Sequence, residues 1–101
     1  MSTTKPTILI VEDDQTLNDA YALILSKANR YEVRRAYDGK EALETIATHG
    51  DPDVILLYLR MPVLDGIGFL HQYHPKEHPD TTVVVFSNYD AHKDIDEAYS
   101  L

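Results

Sequence analysis

Cysteine is absent from the chain, so neither a disulfide framework nor thiolate chemistry is available to it, and a reducing compartment is compatible with that composition. Base is scarce: nine Lys and Arg stand against seventeen Asp and Glu, a formal charge of −8. A phosphate backbone or an anionic membrane would be repelled by such a surface, so neither is expected as the main partner. A basic protein face or a cation suits it better. Long apolar runs are also missing, since nothing approaches the roughly 18 residues of a membrane span. The opening stretch, MSTTKPTILIVEDD, meets acid as soon as its short apolar run ends, unlike a signal peptide. The expectation is a soluble cytoplasmic protein.

What is present is enough for one modest core. Of 101 residues, 44% are hydrophobic and 26% charged, which places the chain among globular domains and away from disordered ones. No internal repeat, low-complexity tract or linker divides it, so residues 1–101 are expected to form a single domain.

The stretch that organises the chain is 53–65, DVILLYLRMPVLD. Its apolar run 54–57 is too short for an independent helix and suits a strand buried on both faces. The run stops at Tyr58 and passes into a loop held by Pro62, and Asp65-Gly66 opens the next helix. Tyr58 therefore falls at the carboxyl end of a central strand, where open α/β sheets place their chemistry.

Around it the pattern alternates. Residues 7–11 read as a strand that ends abruptly in Glu12, Asp13 and Asp14, and Asp14 can cap a helix with Leu17, Ala20, Tyr21, Ile24, Leu25 and Ala28 on its apolar face. Residues 31–36 make a second strand, with Val33 inward and Arg34 and Arg35 marking a wet edge. After a turn at Asp38-Gly39, a helix carrying Ala42, Leu43, Ile46 and Ala47 runs until Gly50 and Pro52 stop it. Residues 66–73 form a short third helix that Pro75 and Pro79 prevent from continuing. A fourth apolar run at 81–86 ends at Ser87-Asn88, and Asp90 opens a last helix with Ala91, Ile95, Ala98 and Tyr99 on one face.

The order β-α-β-α-β-α-β-α implies a doubly wound α/β fold, a parallel sheet of four strands joined by right-handed crossovers with helices on both faces. A sheet covered on both faces would carry one more strand and helix, roughly 20 residues at average element lengths.

Three strand ends, bearing Glu12-Asp13, Tyr58 and Ser87, should converge on one crevice. With ILIVEDD, DVILLYLRMPVLDG and VVVFS in that order and spacing, the chain from Thr7 onward resembles the receiver domain of two-component response regulators. The resemblance implies a flavodoxin-like fold, here of four strands in the order 2-1-3-4 and four helices, that accepts a phosphoryl group from a histidine kinase onto an aspartate beside bound Mg²⁺. On the matching positions, Asp13 would ligate the metal directly, Glu12 would act through water, and the backbone carbonyl of Arg60 would be a further ligand. Ser87 would be the hydroxyl that follows the phosphoryl group and switches the fourth strand and its helix.

The chain departs from that pattern at decisive points. The phosphoacceptor aspartate corresponds to Tyr58, and the family's lysine at the end of its fifth strand, like that strand and the helix after it, has no counterpart within these residues. Asn88 stands where the family usually has a smaller side chain. A phenol with an ordinary pKa near 10 is mostly neutral at pH 7 and replaces a carboxylate poorly, as nucleophile and as metal ligand. Its hydroxyl could instead donate a hydrogen bond to the acid pair. The expectation is a degenerate, non-enzymatic pseudo-receiver with a weak or lost Mg²⁺ site, recognising a signalling partner such as a histidine kinase or output domain. An alternative is an assembly role, in which the open edge of the fourth strand pairs in a homo-oligomer or domain swap. A further one is phosphorylation on another acid.

Plainer readings stand beside these. Glu12, Asp13 and Asp14 could only cap a helix, Tyr58 could be a core aromatic, and Ser87 could be a cap. His71 and His74, with His78, invite a cation, but Pro75 and Pro79 punctuate the stretch and no acid or cysteine in it completes a set. Arg34 and Arg35 read as solvated, and 83–86 as core or an edge strand.

Overall fold

A computed structural model describes residues 5–86 and 99–101. In chain order it contains β1 (Thr7–Val11), α1 (Gln15–Lys27), β2 (Glu32–Ala36), α2 (Gly39–His49), β3 (Val54–Tyr58), α3 (Gly66–Tyr73), a 3₁₀ turn at Pro75–Glu77 and β4 (Thr82–Phe86). Tyr99 and Ser100 are helical, while Ser87, Asn88, Asp90 and the rest of the last expected helix lie outside the described residues. All strand pairs are parallel, as the alternation requires, and the order is β2-β1-β3-β4. Register sets Val11 beside both Ala36 and Leu57, and Tyr58 beside Phe86.

Each helix opens on an aspartate whose carboxylate accepts a backbone N–H of the first turn: Asp14 from Leu17, Asp38 from Glu41 and Asp65 from Gly68, at 3.0, 2.8 and 2.7 Å. Asp38-Gly39 is thus the start of α2 and no separate turn. At Gly66 a side chain is excluded, because a Cβ would sit 2.7 Å from the Leu59 Cα and 2.7 Å from the Tyr58 carbonyl oxygen. The amino end of α3 can therefore press against the end of β3. Between them, Val63 takes φ 68°. For a β-branched residue that left-handed conformation costs about 1–2 kcal/mol, so the loop after β3 is held under strain.

The two faces of the sheet are covered unequally. On one side α2 and α3 bury Leu9, Val11, Ile55 and Leu57 against Ala42, Phe69 and Leu70. On the other, α1 lies over β1 and β2, and the buried hydrophobic cluster is smaller: Ile8, Ile10 and Ala22. β3 is accordingly not buried on both faces as its sequence suggests: Val54 and Leu56 are only half-buried. The buried stripe of α1 also differs from the expected one. Asn18 and Ala22 face the sheet, whereas Leu17 and Ile24 are exposed. The cause is polar: the Asn18 amide donates to the carbonyls of Glu12 and Ala36 at 3.0 and 3.1 Å, joining the ends of β1 and β2.

A candidate phosphoryl and cation crevice

β1 ends by turning its first acid inward. Glu12 is 1% exposed, and its Oε2 accepts the Asp14 N–H at 3.2 Å, while Oε1 finds no hydrogen-bond partner among the described residues. Asp13 and Asp14 stay exposed. Burial pushes Glu12 up to about 7, the nearby Asp13 and Asp14 charges add to that rise, and the Asp14 N–H opposes it. A buried carboxylate oxygen without a donor is a poor place for a negative charge and a fitting one for a cation.

Tyr58, at the end of β3, reaches the same place. Glu12, Asp13, Asp14, Leu17, Tyr58 and Arg60 line one open cavity of about 210 Å³ at the carboxyl ends of β1 and β3. Tyr58 is 8% exposed and its ring leans on Phe86 of β4, with centroids 5.7 Å apart and planes at 41°. Four sequence-predicted positions, Glu12, Asp13, Tyr58 and Arg60, therefore share a crevice. Ser87 follows β4 immediately but is outside the described residues. Among those described, no group of three or more His, Cys, Asp or Glu side chains is placed to hold a metal ion. The carboxylates of Glu12 and Asp13, with Arg60 lining the same cavity, make an oxygen-donor set that fits a hard, oxygen-seeking cation.

The linkage of Glu12 gives a measurable consequence. Its folded-state pKa lies above the ordinary 4.5, so folding binds the proton more tightly. The resulting stability is complete below about 4.5 and is lost as pH rises through about 7. In metal-free buffer, Glu12→Gln should match the parent chain near pH 4.5 and exceed it by about 3 kcal/mol at pH 8. Urea melts across that range check this, and parallel curves for the two proteins would refute the assigned burial cost.

Two side-chain groups escaped the sequence reading. Arg35 is not simply solvated: it donates to Asn18 Oδ1 at 2.7 Å and pairs with Asp19. At the opposite end of the sheet from the crevice, His78 Nδ1 sits 2.6 Å from Asp51 Oδ2 and its ring stacks on Tyr73 at 4.2 Å, while the Tyr73 hydroxyl donates to Asp51 Oδ1 at 3.0 Å. Burial pushes the Tyr73 phenol up to about 12, keeping it a donor. The acid that partners this histidine comes from the α2–β3 connection, 27 residues earlier. His71 and His74 do not join it, and His74 instead forms the left-handed carboxyl cap of α3. Local spacing carried no signal for that pairing.

Residues 8–101 match the response regulator receiver domain family. A protein-glutamate methylesterase/protein-glutamine glutaminase of Cereibacter sphaeroides is 40% identical over 80 residues, 79% of this chain and 22% of that protein. The transcriptional regulatory protein PrrA of Mycobacterium tuberculosis is 42% identical over 64 residues, 63% of this chain and 27% of that protein. The chain thus spans about a quarter of the length of these relatives. Among solved structures, the receiver domain of the putative response regulator NarL from M. tuberculosis superposes with a TM-score of 0.83 at 30% identity, covering 97% of this chain and 78% of that one. The N-terminal domain of a Wolinella succinogenes protein gives 0.81 at 33% identity, covering 94% and 74%. With the parallel 2-1-3-4 sheet and the acid pair beside the end of β3, these likenesses settle the family: the chain belongs to the response regulator receiver domains of two-component signalling.

Proposed function

We propose that this chain is a pseudo-receiver, a receiver-type module that signals by binding a partner protein and does not take a phosphoryl group at the end of β3. The observation that carries this reading is the identity and seat of Tyr58, a phenol in the crevice that Glu12 and Asp13 line. Phosphoryl transfer to a receiver needs an ionised carboxylate as nucleophile, and a neutral phenol lacks both the charge and the second oxygen. Phe86 backs the ring, with centroids 5.7 Å apart, which supports reading the side chain as a packed aromatic.

Receiver domains of response regulators bind Mg²⁺ at their phosphorylation site and interact with kinases and output domains. In this chain Glu12, Asp13 and the Arg60 carbonyl are the groups that would hold the ion, and Ser87 is the hydroxyl that would follow a phosphoryl group. Mg²⁺ bound there supplies neutralisation of negative charge. With a phenol in the place of a third carboxylate, affinity is expected to be weak. No enzymatic turnover is assigned to this chain, and the methylesterase activity in the name of the Cereibacter relative belongs to that protein. Among the described residues no helix is long and apolar enough to cross a membrane.

Incubation with acetyl phosphate and Mg²⁺, followed by phosphopeptide mapping, tests the reading. No acid-labile phosphoryl group is expected on the chain. A stable acyl phosphate on Asp13 or any other acid would replace the pseudo-receiver with a working receiver of unusual geometry.

A further inference from the structure

On α1 a single polar residue, Asn18, is completely buried, and its amide is aimed at the root of the acid pair. Nδ2 donates to the Glu12 carbonyl at 3.0 Å and to the Ala36 carbonyl at 3.1 Å, while the Ala36 carbonyl also accepts the Glu12 N–H at 3.1 Å. Both backbone groups of Glu12 are therefore held, the N–H by the end of β2 and the carbonyl by Asn18. That carbonyl belongs to the planar peptide joining Glu12 to Asp13, so fixing it sets the directions in which the two carboxylates leave the chain. Glu12 turns inward, and Asp13 stays exposed at the cavity they share.

Behind the amide stands Arg35. Its Nε donates to Asn18 Oδ1 at 2.7 Å, its Nη2 pairs with Asp19, and its guanidinium lies over the Tyr37 ring, 5.7 Å from the centroid. An amide has one accepting end and one donating end. With Arg35 on the oxygen, the NH₂ end faces the two carbonyls. Arg35 itself does not line the crevice, yet without it a buried oxygen loses its donor and the amide loses the contact that fixes its orientation.

We infer that Asn18 and Arg35 are positioning residues of the cation crevice, with Arg35 acting through Asn18 on the peptide between Glu12 and Asp13. The inference rests on the reading of that crevice as a Mg²⁺ site. Groups that orient metal ligands from behind typically cost about 10–100-fold in affinity when removed. Arg35 stands one contact further out than Asn18, which puts it at the low end, about tenfold. Electrostatics makes the opposite demand. Arg35 is a cation, and removing a cation near a Mg²⁺ site leaves the attraction for the ion stronger. Charge alone thus predicts tighter binding in a neutral variant, whereas positioning predicts weaker binding. The sign of the change separates the two.

Amide NMR titrations with Mg²⁺ measure the Kd in the parent chain, Arg35→Met and Asn18→Ala, and again with each change placed in the Tyr58→Asp background, where binding is expected to be tighter. Arg35→Met should weaken Mg²⁺ binding about tenfold and Asn18→Ala at least as much. Should Asn18→Ala fail to fold, the half-buried Arg35 carries the measurement alone. Urea midpoints are taken alongside, because a residue that only fastens α1 to β2 would lower the midpoint and leave the Kd of the folded protein unchanged. With Mn²⁺ in place of Mg²⁺, line broadening centred on the Glu12 and Asp13 amides of the parent should weaken in Arg35→Met at equal metal concentration. Unchanged or tighter Mg²⁺ binding in Arg35→Met, in both backgrounds, would overturn the inference. If neither the parent nor Tyr58→Asp shows saturable shifts at Glu12 and Asp13, the reading of the crevice as a Mg²⁺ site falls and takes the inference with it, whereas saturable binding indifferent to Asn18 and Arg35 refutes the inference alone.

Discussion

Tyr58→Asp is expected to lose about 3–5 kcal/mol of stability in metal-free buffer and to bind Mg²⁺ at least about tenfold more tightly than the parent chain. Both effects have one origin. Tyr58 is 8% exposed and packed on Phe86, so its replacement removes a buried aromatic, and the new carboxylate joins Glu12, which burial already holds neutral up to about 7. A fourth acid lining that cavity, beside Glu12, Asp13 and Asp14, raises the cost of ionising all of them. It also completes an oxygen set suited to a hard divalent cation. Added Mg²⁺ should therefore restore much of the lost stability in the variant and little in the parent. Thermal melts with and without Mg²⁺ read both. A variant as stable as the parent without metal would mean that Tyr58 contributes no packing, and equal Mg²⁺ affinity would mean that the phenol is not what weakens the site.

Phe69→Ala should cost about 3–5 kcal/mol, the range for truncating a fully buried aromatic. Phe69 is completely buried under the sheet and stacks on Tyr73 at 5.3 Å and 14°. Tyr73 in turn stacks on His78 and donates to Asp51. The loss would therefore loosen both the main core and the clasp that ties the α3–β4 connection to the start of β3. Domains of this size commonly hold only about 5–15 kcal/mol in total, so partial unfolding at 37 °C is the expected phenotype. A urea midpoint within about 1 kcal/mol of the parent chain would show that the cavity collapses, against the dense packing described.

The backbone order was legible because its signals are local. Short apolar runs at 7–11, 54–57 and 81–86 marked three of the strands, and Asp14, Asp38 and Asp65 sit where helix amino ends need acceptors. The crevice was legible too, since the carboxyl ends of parallel strands converge by topology and Glu12, Asp13 and Tyr58 each fall at such an end. Less was readable on α1. Hydrophobicity predicted that Leu17 and Ile24 face the sheet, but Asn18 takes the buried position by satisfying the carbonyls of Glu12 and Ala36, and that leaves Leu17 and Ile24 exposed. Nor could spacing show that His78 meets Asp51 across 27 residues. Such pairings depend on where two loops land once the sheet has formed.

The central claim is that the residue at the end of β3 cannot act as a phosphoryl acceptor. Intact-mass spectrometry of the parent chain and Tyr58→Asp, incubated side by side with acetyl phosphate and Mg²⁺, tests it most directly. The account predicts an unmodified parent and a phosphorylated fraction in the variant that disappears on mild hydrolysis. A parent chain that gains the same labile phosphoryl group as the variant would contradict it.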